Sequence, residues 1–222
     1  CASPGGKTTM IASRMQHRGT VLGIDKSASK VRRLLETCER FRASSVLAAA
    51  ADASKLRFGA ELHAQSIVDG VSGARTSTTV QLTRKFDRIL VDAPCSALGQ
   101  RPRFGIEQSL RQLESFGKFA RKILVAACEL QRPGGRLVFS TCTFMPSENE
   151  ANVQFILRER PELRLIPALP KVGGDALQPE AYGLTAEQAS FVQRFEPMCA
   201  ATDGIGFFVA CFESSSASTL EP

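Results

Sequence analysis

Two cysteines in this sequence stand where a thiolate nucleophile could act on a bound ligand. Cys95 follows the apolar run 88–92, and Cys142 ends the apolar run 135–142. One long helical pattern separates the runs, so we expect them to form neighbouring strands, about 4.8 Å apart, with both thiols at the edge where ligands bind. Free cysteines are often only small buried apolar residues. We assign that role to three others, Cys38, Cys128 and Cys211.

A glycine-rich turn, Cys-Ala-Ser-Pro-Gly-Gly-Lys-Thr, opens the chain. The phosphate-binding P-loop would require a glycine at Cys1, and the dinucleotide pattern G-x-G-x-x-G is also missing. Asp25 and Asp52 end the next two apolar runs, where an acid typically binds ribose. Any one of these acids alone is better explained as a helix cap or loop residue. Together they indicate a nucleoside cofactor without a large phosphate cradle, which points to S-adenosylmethionine.

Apolar runs alternate with helical patterns along the whole chain. Residues 31–41 and 110–130 carry apolar side chains at helical spacing, and the second pattern stops at Pro133. Near-continuous apolar runs suit strands that are buried on both faces of a parallel sheet, and they lie at 21–25, 46–52, 88–92 and 135–142. This alternation predicts an α/β fold with a mostly parallel sheet.

Other local signals place the remaining boundaries. Ser147 and Glu150 have the spacing of a capping box and predict a helix that opens there. Residues 204–212 predict a last strand. Polar or proline- and glycine-containing segments predict loops at 69–80 and 167–181, and the serine-rich segment 214–222 predicts a disordered tail.

The composition is that of an ordinary globular chain: 222 residues, 43% hydrophobic and 23% charged. No apolar run approaches the roughly 20 residues needed to cross a bilayer, so we expect no membrane partner. The seven cysteines are scattered without a C-x-x-C pair, which predicts a reducing intracellular compartment, cytoplasm or nucleus. The two histidines are not spaced with cysteines, so we expect no metal site. A net charge of +6 favours a polyanionic partner.

Together these motifs resemble the Sun (bacterial Fmu-type) RNA cytosine-5 methyltransferases. The resemblance covers essentially the whole chain in the family's order, and the paired Pro-Cys and Thr-Cys motifs are its specific part. It is carried by residues 1–8, 92–96, 140–142, 148–150, 193–197 and 206–208. The run Gly99-Gln100-Arg101-Pro102 most resembles the member with a PUA RNA-binding domain that methylates the tRNA acceptor end.

The resemblance implies a Rossmann-like S-adenosylmethionine-dependent methyltransferase fold. Its sheet would have seven mostly parallel strands with helices on both faces, and the family's first strand would precede Cys1 and be missing from this chain. We therefore expect an N-terminally truncated catalytic domain over 1–213. Two features depart from the family pattern: Ala97 stands where glycine is commoner, and the segment 69–80 is an unusual insertion.

The resemblance also implies the roles of individual residues. Cys142 would attack carbon 6 of cytosine, which makes carbon 5 nucleophilic, and Cys95 would help to remove the proton or release the enzyme. DNA enzymes of similar chemistry use the Pro-Cys thiol for attack, so reversed roles stay open. Asp92 would bind the cytosine amino edge and Lys7 would be a basic group near the pocket. Cofactor contacts would come from Cys1, Ala2, Ser3, Pro4, Gly5, Gly6 and Lys7, with Asp25, Lys26, Asp52 and Asp92.

The resemblance implies that the partner is RNA, and in particular tRNA. We expect the protein to be a monomer. Arg101 and Arg103 are expected to contact phosphates, with Arg111 as a further candidate. The target base must leave any stem to reach the pocket, which favours single-stranded or frayed RNA. A catalytically silent RNA-binding or assembly module with the same fold is the alternative, and the retention of both cysteines with Asp92 argues against it.

Overall fold

The structure, a computed structural model, describes residues 1–67, 74–100, 108–197 and 203–215. The chain divides into two compact units, Cys1–Arg84 and Lys85–Pro222. Among the described residues, no helix is long and apolar enough to cross a membrane.

The first unit is a four-stranded sheet with two helices. In chain order its elements are α1 (Gly6–Arg14), β1 (Val21–Asp25), α2 (Ala28–Arg40), β2 (Val46–Ala50), a short 3-10 helix (Ala53–Lys55), β3 (Glu61–Ile67) and β4 (Arg75–Gln81). The strands lie in the order β1-β2-β3-β4. Strands β1 and β2 are parallel, with Val21 opposite Val46, and β3 and β4 continue the sheet in antiparallel fashion.

The core of the first unit forms where the apolar face of α2 meets the parallel strands. Val31, Leu34, Leu35 and Cys38 are buried, and they pack in one cluster with Val46 and other small side chains. Cys38 is thus the apolar core cysteine that the sequence predicts. Phe41 also fits the helical spacing, but it follows the end of α2 and is 63% exposed. The helix therefore buries one residue fewer than its pattern predicts.

The second unit contains a five-stranded sheet. Its elements are β5 (Phe86–Asp92), α3 (Leu110–Leu130), β6 (Gln131–Thr141), α4 (Glu150–Glu159), β7 (Leu163–Ile166), a short 3-10 helix (Pro179–Tyr182), α5 (Ala186–Phe191), β8 (Gln193–Phe195) and β9 (Phe207–Ser214). The order is β5-β6-β9-β7, and β8 also pairs with β9. Strands β5 and β6 are parallel, and Asp92 lies opposite Ser140.

The strand arrangement differs from a single mostly parallel, seven-stranded sheet. The described strands form two sheets, in which β1–β2 and β5–β6 are the parallel pairs and the other described pairs are antiparallel. Apolar runs reveal where strands lie but not which strands hydrogen-bond. Half of the segment predicted as a loop, residues 75–80 of 69–80, belongs to strand β4, whose exposed threonines and serine gave no apolar signal. Residues 69–73 of that segment lie outside the described ones.

The predicted capping box at Ser147 is wrong. Helix α4 begins at Glu150, its N-cap residue is Asn149, and no side chain caps it. The Glu150 side chain is instead fully buried and paired with Arg194. A true capping box, between Ser109 and Gln112, starts α3. At the other end of the unit, β9 extends to Ser214, and residues 216–222 of the predicted tail lie outside the described part of the chain.

Candidate active site

Strands β5 and β6 bring the two candidate cysteines together. The parallel register places Asp92 opposite Ser140 at the carboxyl ends of both strands, and the segments that follow carry Cys95 and Cys142. Their sulfur atoms are 3.3 Å apart, so the expected pairing of neighbouring strands is confirmed. Both side chains are half-buried, and Cys142 Sγ is also 3.6 Å from Gln100 Nε2.

The short distance between the two thiols affects their ionisation. The hydrogen bond with Cys142 raises the pKa of Cys95 far above its ordinary value, and burial raises it further. Two thiolates cannot share so short a distance without strong repulsion. The pair therefore holds at most one thiolate at neutral pH.

Asp92 lies at the same edge of the sheet. Its carboxylate oxygen Oδ1 accepts a hydrogen bond of 2.8 Å from the Ser140 hydroxyl, and the Ala93 amide donates to the Ser140 carbonyl. Asp92 is half-buried. These bonds fix its backbone and one carboxylate oxygen at the strand end, so Asp92 can present hydrogen-bond acceptors to a bound base.

A buried polar network lies behind the thiols, and sequence reasoning missed most of it. Ser96 donates its amide to Glu148 Oε2 over 2.9 Å, and its hydroxyl is 2.9 Å from that of Thr143. Asn149 accepts a bond of 2.6 Å from the Thr141 hydroxyl and donates to the Thr143 carbonyl. Glutamate and asparagine within an otherwise buried segment were the available signal, but their partners are distant in sequence.

Two glycines hold the Cys142 backbone through a close approach of two segments. The Gly99 amide donates to the Cys142 carbonyl over 3.0 Å, and the Gly206 amide donates to the Gly99 carbonyl. A Cβ atom at Gly99 would lie 2.1 Å from the Gly206 carbonyl oxygen, so no side chain fits there. Nearby, Ala97 adopts a φ of 56°, the left-handed region that favours glycine. A glycine, which the resemblance leads us to expect at this position, would adopt that conformation with less strain.

The first unit positions all the residues predicted to bind the cofactor except Asp92. The Ala2 amide donates to the Ile24 carbonyl, and the Ser3 amide lies 3.3 Å from Asp25 Oδ2, so the opening turn rests on the end of β1. Gly5 has a φ of 114°, and a Cβ there would lie 2.9 Å from Leu34. A Cβ at Gly6, by contrast, would meet nothing within 4 Å, which leaves room for a ligand at the start of α1.

Two carboxylates lie at the ends of the adjacent parallel strands β1 and β2. Asp25 is buried, and Asp52 Oδ2 forms an ion pair of 3.0 Å with Lys26. The Ser54 hydroxyl and Lys26 hold the pKa of Asp52 at about 2, so this carboxylate is charged at neutral pH. Charged acceptors at neighbouring strand ends beside a glycine turn fit the hydroxyls and amine of a nucleoside such as S-adenosylmethionine.

The remaining predicted site residues are Lys7 and three arginines. Lys7 is exposed in the first turn of α1, and Arg111 is exposed in the first turn of α3. Arg101 and Arg103 lie outside the described residues. Across the described ranges, no group of three or more histidine, cysteine or acidic side chains could hold a metal ion.

Comparisons with known proteins identify a family and several relatives that are similar to this chain. The family described as "16S rRNA methyltransferase RsmB/F" matches residues 1–213. The mouse protein named tRNA (cytosine(72)-C(5))-methyltransferase NSUN6 is 40% identical over 198 residues, 89% of this chain and 39% of that protein. A Pyrococcus horikoshii protein named tRNA (cytosine(72)-C(5))-methyltransferase is 37% identical, over 71% of this chain and 35% of its own length.

Solved structures of methyltransferases are also similar to this chain. The crystal structure of NSun6 from Pyrococcus horikoshii with SFG, an S-adenosylmethionine analogue, superposes with a TM-score of 0.74 and 32% identity, covering 96% of this chain and 46% of that one. A methyltransferase homologue from the same organism gives a TM-score of 0.72 at 25% identity, over 96% of this chain and 59% of its own. The predicted Rossmann-like methyltransferase fold is thereby confirmed. The chain spans less than half the length of NSUN6 and its Pyrococcus relative.

Proposed function

Because the chain belongs to the RsmB/F family of methyltransferases, we propose that residues 1–213 form the catalytic domain of an enzyme that methylates carbon 5 of cytosine in tRNA. The observation that carries this proposal is the separation of 3.3 Å between Cys95 Sγ and Cys142 Sγ. Two thiols at adjacent strand ends supply one group for covalent attack and a second for the step that frees the enzyme.

Cys142 is the attacking group in this proposal. Its thiolate bonds to carbon 6 of cytosine and breaks the double bond between carbons 5 and 6, so carbon 5 gains nucleophilic character. S-adenosylmethionine, when bound, supplies the methyl group that carbon 5 takes up. The resemblance of Ser140-Thr141-Cys142 to the family's Thr-Cys motif supports this assignment.

Cys95 acts in the second half of the reaction. Once Cys142 is bonded to carbon, it no longer holds the Cys95 proton, and the largest cause of the raised Cys95 pKa disappears. Cys95 can then lose its proton to water and accept the proton of carbon 5. The electrons of that carbon–hydrogen bond restore the double bond, and the Cys142 sulfur leaves with its bonding pair.

Asp92 and Lys7 complete the proposed machinery. Asp92, fixed by Ser140, accepts hydrogen bonds from the amino edge of cytosine while charge builds on the ring. Lys7 is a second proposed catalytic group, because a positive charge beside a thiol favours its thiolate form. Asp92 also contacts the cofactor in this proposal.

The turn Cys1–Lys7, with Asp25, Lys26 and Asp52, binds S-adenosylmethionine in this proposal. We expect Asp25→Asn and Asp52→Asn each to weaken cofactor binding about 10- to 100-fold, because each loses one hydrogen bond to a charged acceptor. Calorimetric titration of the full-length protein with S-adenosylmethionine measures the change. Asp87→Asn is the matched control, since Asp87 pairs with Arg132 on the exposed surface. Unchanged affinity in both variants would refute this cofactor site.

The choice of tRNA rests on the names of the relatives, two of which are tRNA (cytosine(72)-C(5))-methyltransferases. The positive net charge of +6 supports a polyanionic substrate. Arg101 and Arg103 are proposed phosphate contacts. We also propose that the protein works as a monomer inside the cell, in the cytoplasm or nucleus, where its cysteines stay reduced.

Methyl transfer to tRNA is the direct test of this function. Full-length protein, tRNA and S-adenosylmethionine labelled in its methyl group should yield labelled 5-methylcytosine after digestion of the RNA, and bisulfite sequencing should locate it at position 72. Cys142→Ala should give none. A ribosomal RNA fragment serves as the competing substrate. Tight tRNA binding without any methyl transfer would instead favour the silent binding module.

A further inference from the structure

The turn that precedes α4 contains two polar side chains that are buried without being part of the proposed chemistry. Glu148 is 2% exposed and Asn149 is fully buried. Burial of a carboxyl group costs several kcal/mol unless other groups compensate for it. Neither residue caps α4 through its side chain, so their burial calls for another explanation.

Each of the two side chains bonds to the segment of a different cysteine. Glu148 Oε2 accepts the amide of Ser96, the residue that follows Cys95. Asn149 binds the Thr141 hydroxyl over 2.6 Å and the Thr143 carbonyl over 3.0 Å, which brackets Cys142 on both sides. The contact of 2.9 Å between the hydroxyls of Ser96 and Thr143 joins the two halves.

We propose that the Glu148-Asn149 pair is a positioning element that sets the distance between the thiols of Cys95 and Cys142, and that Glu148 performs this role as a neutral carboxyl group. The inference rests on the proposed function, in which both thiols act on one base. Glu148 acts through Ser96, so it is a positioning residue rather than a catalytic one.

The surroundings of Glu148 support the neutral form. Burial raises the pKa of Glu148, and the hydrogen bonds from Ser96 and Thr143 offset only part of that effect. Its second carboxyl oxygen, Oε1, is buried and has no hydrogen-bond partner among the described residues. Two cations on neighbouring elements bind other groups: Arg121 of α3 binds Asn152 and Arg194 of β8 binds Glu150. The two strand-end segments that Glu148 and Asn149 join also carry Asp92 and the two thiols.

Two substitutions at Glu148 separate the effect of the hydrogen bond that it accepts from the effect of its charge. Glu148→Ala removes the acceptor of the Ser96 amide, so the Cys95 segment loses its anchor. We expect the turnover number to fall about 10-fold or more, while the fraction of enzyme bonded to tRNA rises several-fold, because attack by Cys142 continues and release slows. Glu148→Gln keeps the acceptor without a charge and should restore most of the turnover. Glu159→Gln, at the exposed C-terminal end of α4, is the matched control.

The adduct fraction distinguishes positioning from simple support of the fold. A variant that only unfolds loses turnover and adduct in the same proportion, which would refute the inference. Glu148→Gln as inactive as Glu148→Ala would refute the neutral form. Failure of the wild-type protein to methylate tRNA, with no adduct in Cys95→Ala, would refute the proposed function itself and not the positioning alone.

The pH dependence of stability gives a readout that needs no substrate. Folding raises the pKa of Glu148 above the ordinary glutamate value of 4.5. As the pH rises above 4.5, the unfolded chain loses this proton before the folded chain does. The folded state therefore becomes less stable relative to the unfolded state as the pH rises. Glu148→Gln has no such proton. Its melting temperature relative to wild type should therefore rise between about pH 4.5 and neutral pH. A difference that does not change with pH would contradict a neutral Glu148, even if the alanine variant fails to fold.

Discussion

Replacing Cys95 with alanine is expected to leave the protein covalently bonded to its RNA, whereas replacing Cys142 with alanine should abolish both the bond and methyl transfer. In the first variant the thiolate that attacks carbon 6 is retained and the group that helps to release it is lost. In the second variant nothing remains to attack. Because the two sulfur atoms are 3.3 Å apart, each substitution changes the reaction site directly.

The measurement is denaturing electrophoresis of each variant with labelled tRNA and S-adenosylmethionine. The adduct of Cys95→Ala should survive denaturation, because a carbon–sulfur bond is covalent, and should depend on both cofactor and target cytosine. Cys128→Ala, a change at a buried cysteine of α3, should methylate normally. An adduct in Cys142→Ala but not in Cys95→Ala would reverse the roles, and methylation by both variants without any adduct would exclude covalent catalysis.

Arg194→Met is expected to lower the free energy of unfolding by about 3–5 kcal/mol, the usual effect of removing one partner from a buried ion pair. Arg194 Nη1 lies 2.9 Å from Glu150 Oε1, with both side chains almost entirely buried. The same guanidinium donates to the Phe144 carbonyl, two residues after Cys142. The substitution therefore leaves the buried Glu150 carboxylate with the Leu177 amide but without its charged partner. It also removes a hydrogen bond to the segment of the attacking thiol.

Urea denaturation of the full-length protein measures this change. Arg164→Met removes an exposed arginine from its ion pair with Glu213 and should lower the free energy of unfolding far less than Arg194→Met, since exposed pairs contribute little. Equal effects of the two substitutions would show that burial does not strengthen the Arg194–Glu150 pair. A stable Arg194→Met variant would show that the Glu150 carboxyl is neutral or finds another donor.

Local patterns were sufficient for the elements that bury an apolar face. Strands β1, β2 and β5 and helices α2 and α3 were predicted within a few residues, because near-continuous apolar runs and helical spacing are properties of short segments. Strand β4 was missed, since threonine and serine fill a strand whose side chains are almost all exposed. The predicted loop there shows that polar composition alone does not exclude a strand.

The same division applies to the polar residues around the thiols. The motif Glu148-Asn149-Glu150 was visible in the sequence, but its spacing from Ser147 suggested a helix cap. In the structure the three side chains bind Ser96, Thr141 and Arg194. Each partner lies on a different segment, so only the folded chain could identify it.

The sequence by itself determined which groups are available for chemistry and at which ends of the strands they lie. Cys95, Cys142, Asp25 and Asp52 each end or follow an apolar run, and that relation is local. The tertiary structure alone decided the distance between the sulfur atoms, since the two cysteines are 47 residues apart. Their approach depends on the pairing of β5 with β6 and on a buried polar network. These are contacts between distant segments, and no local pattern specifies them.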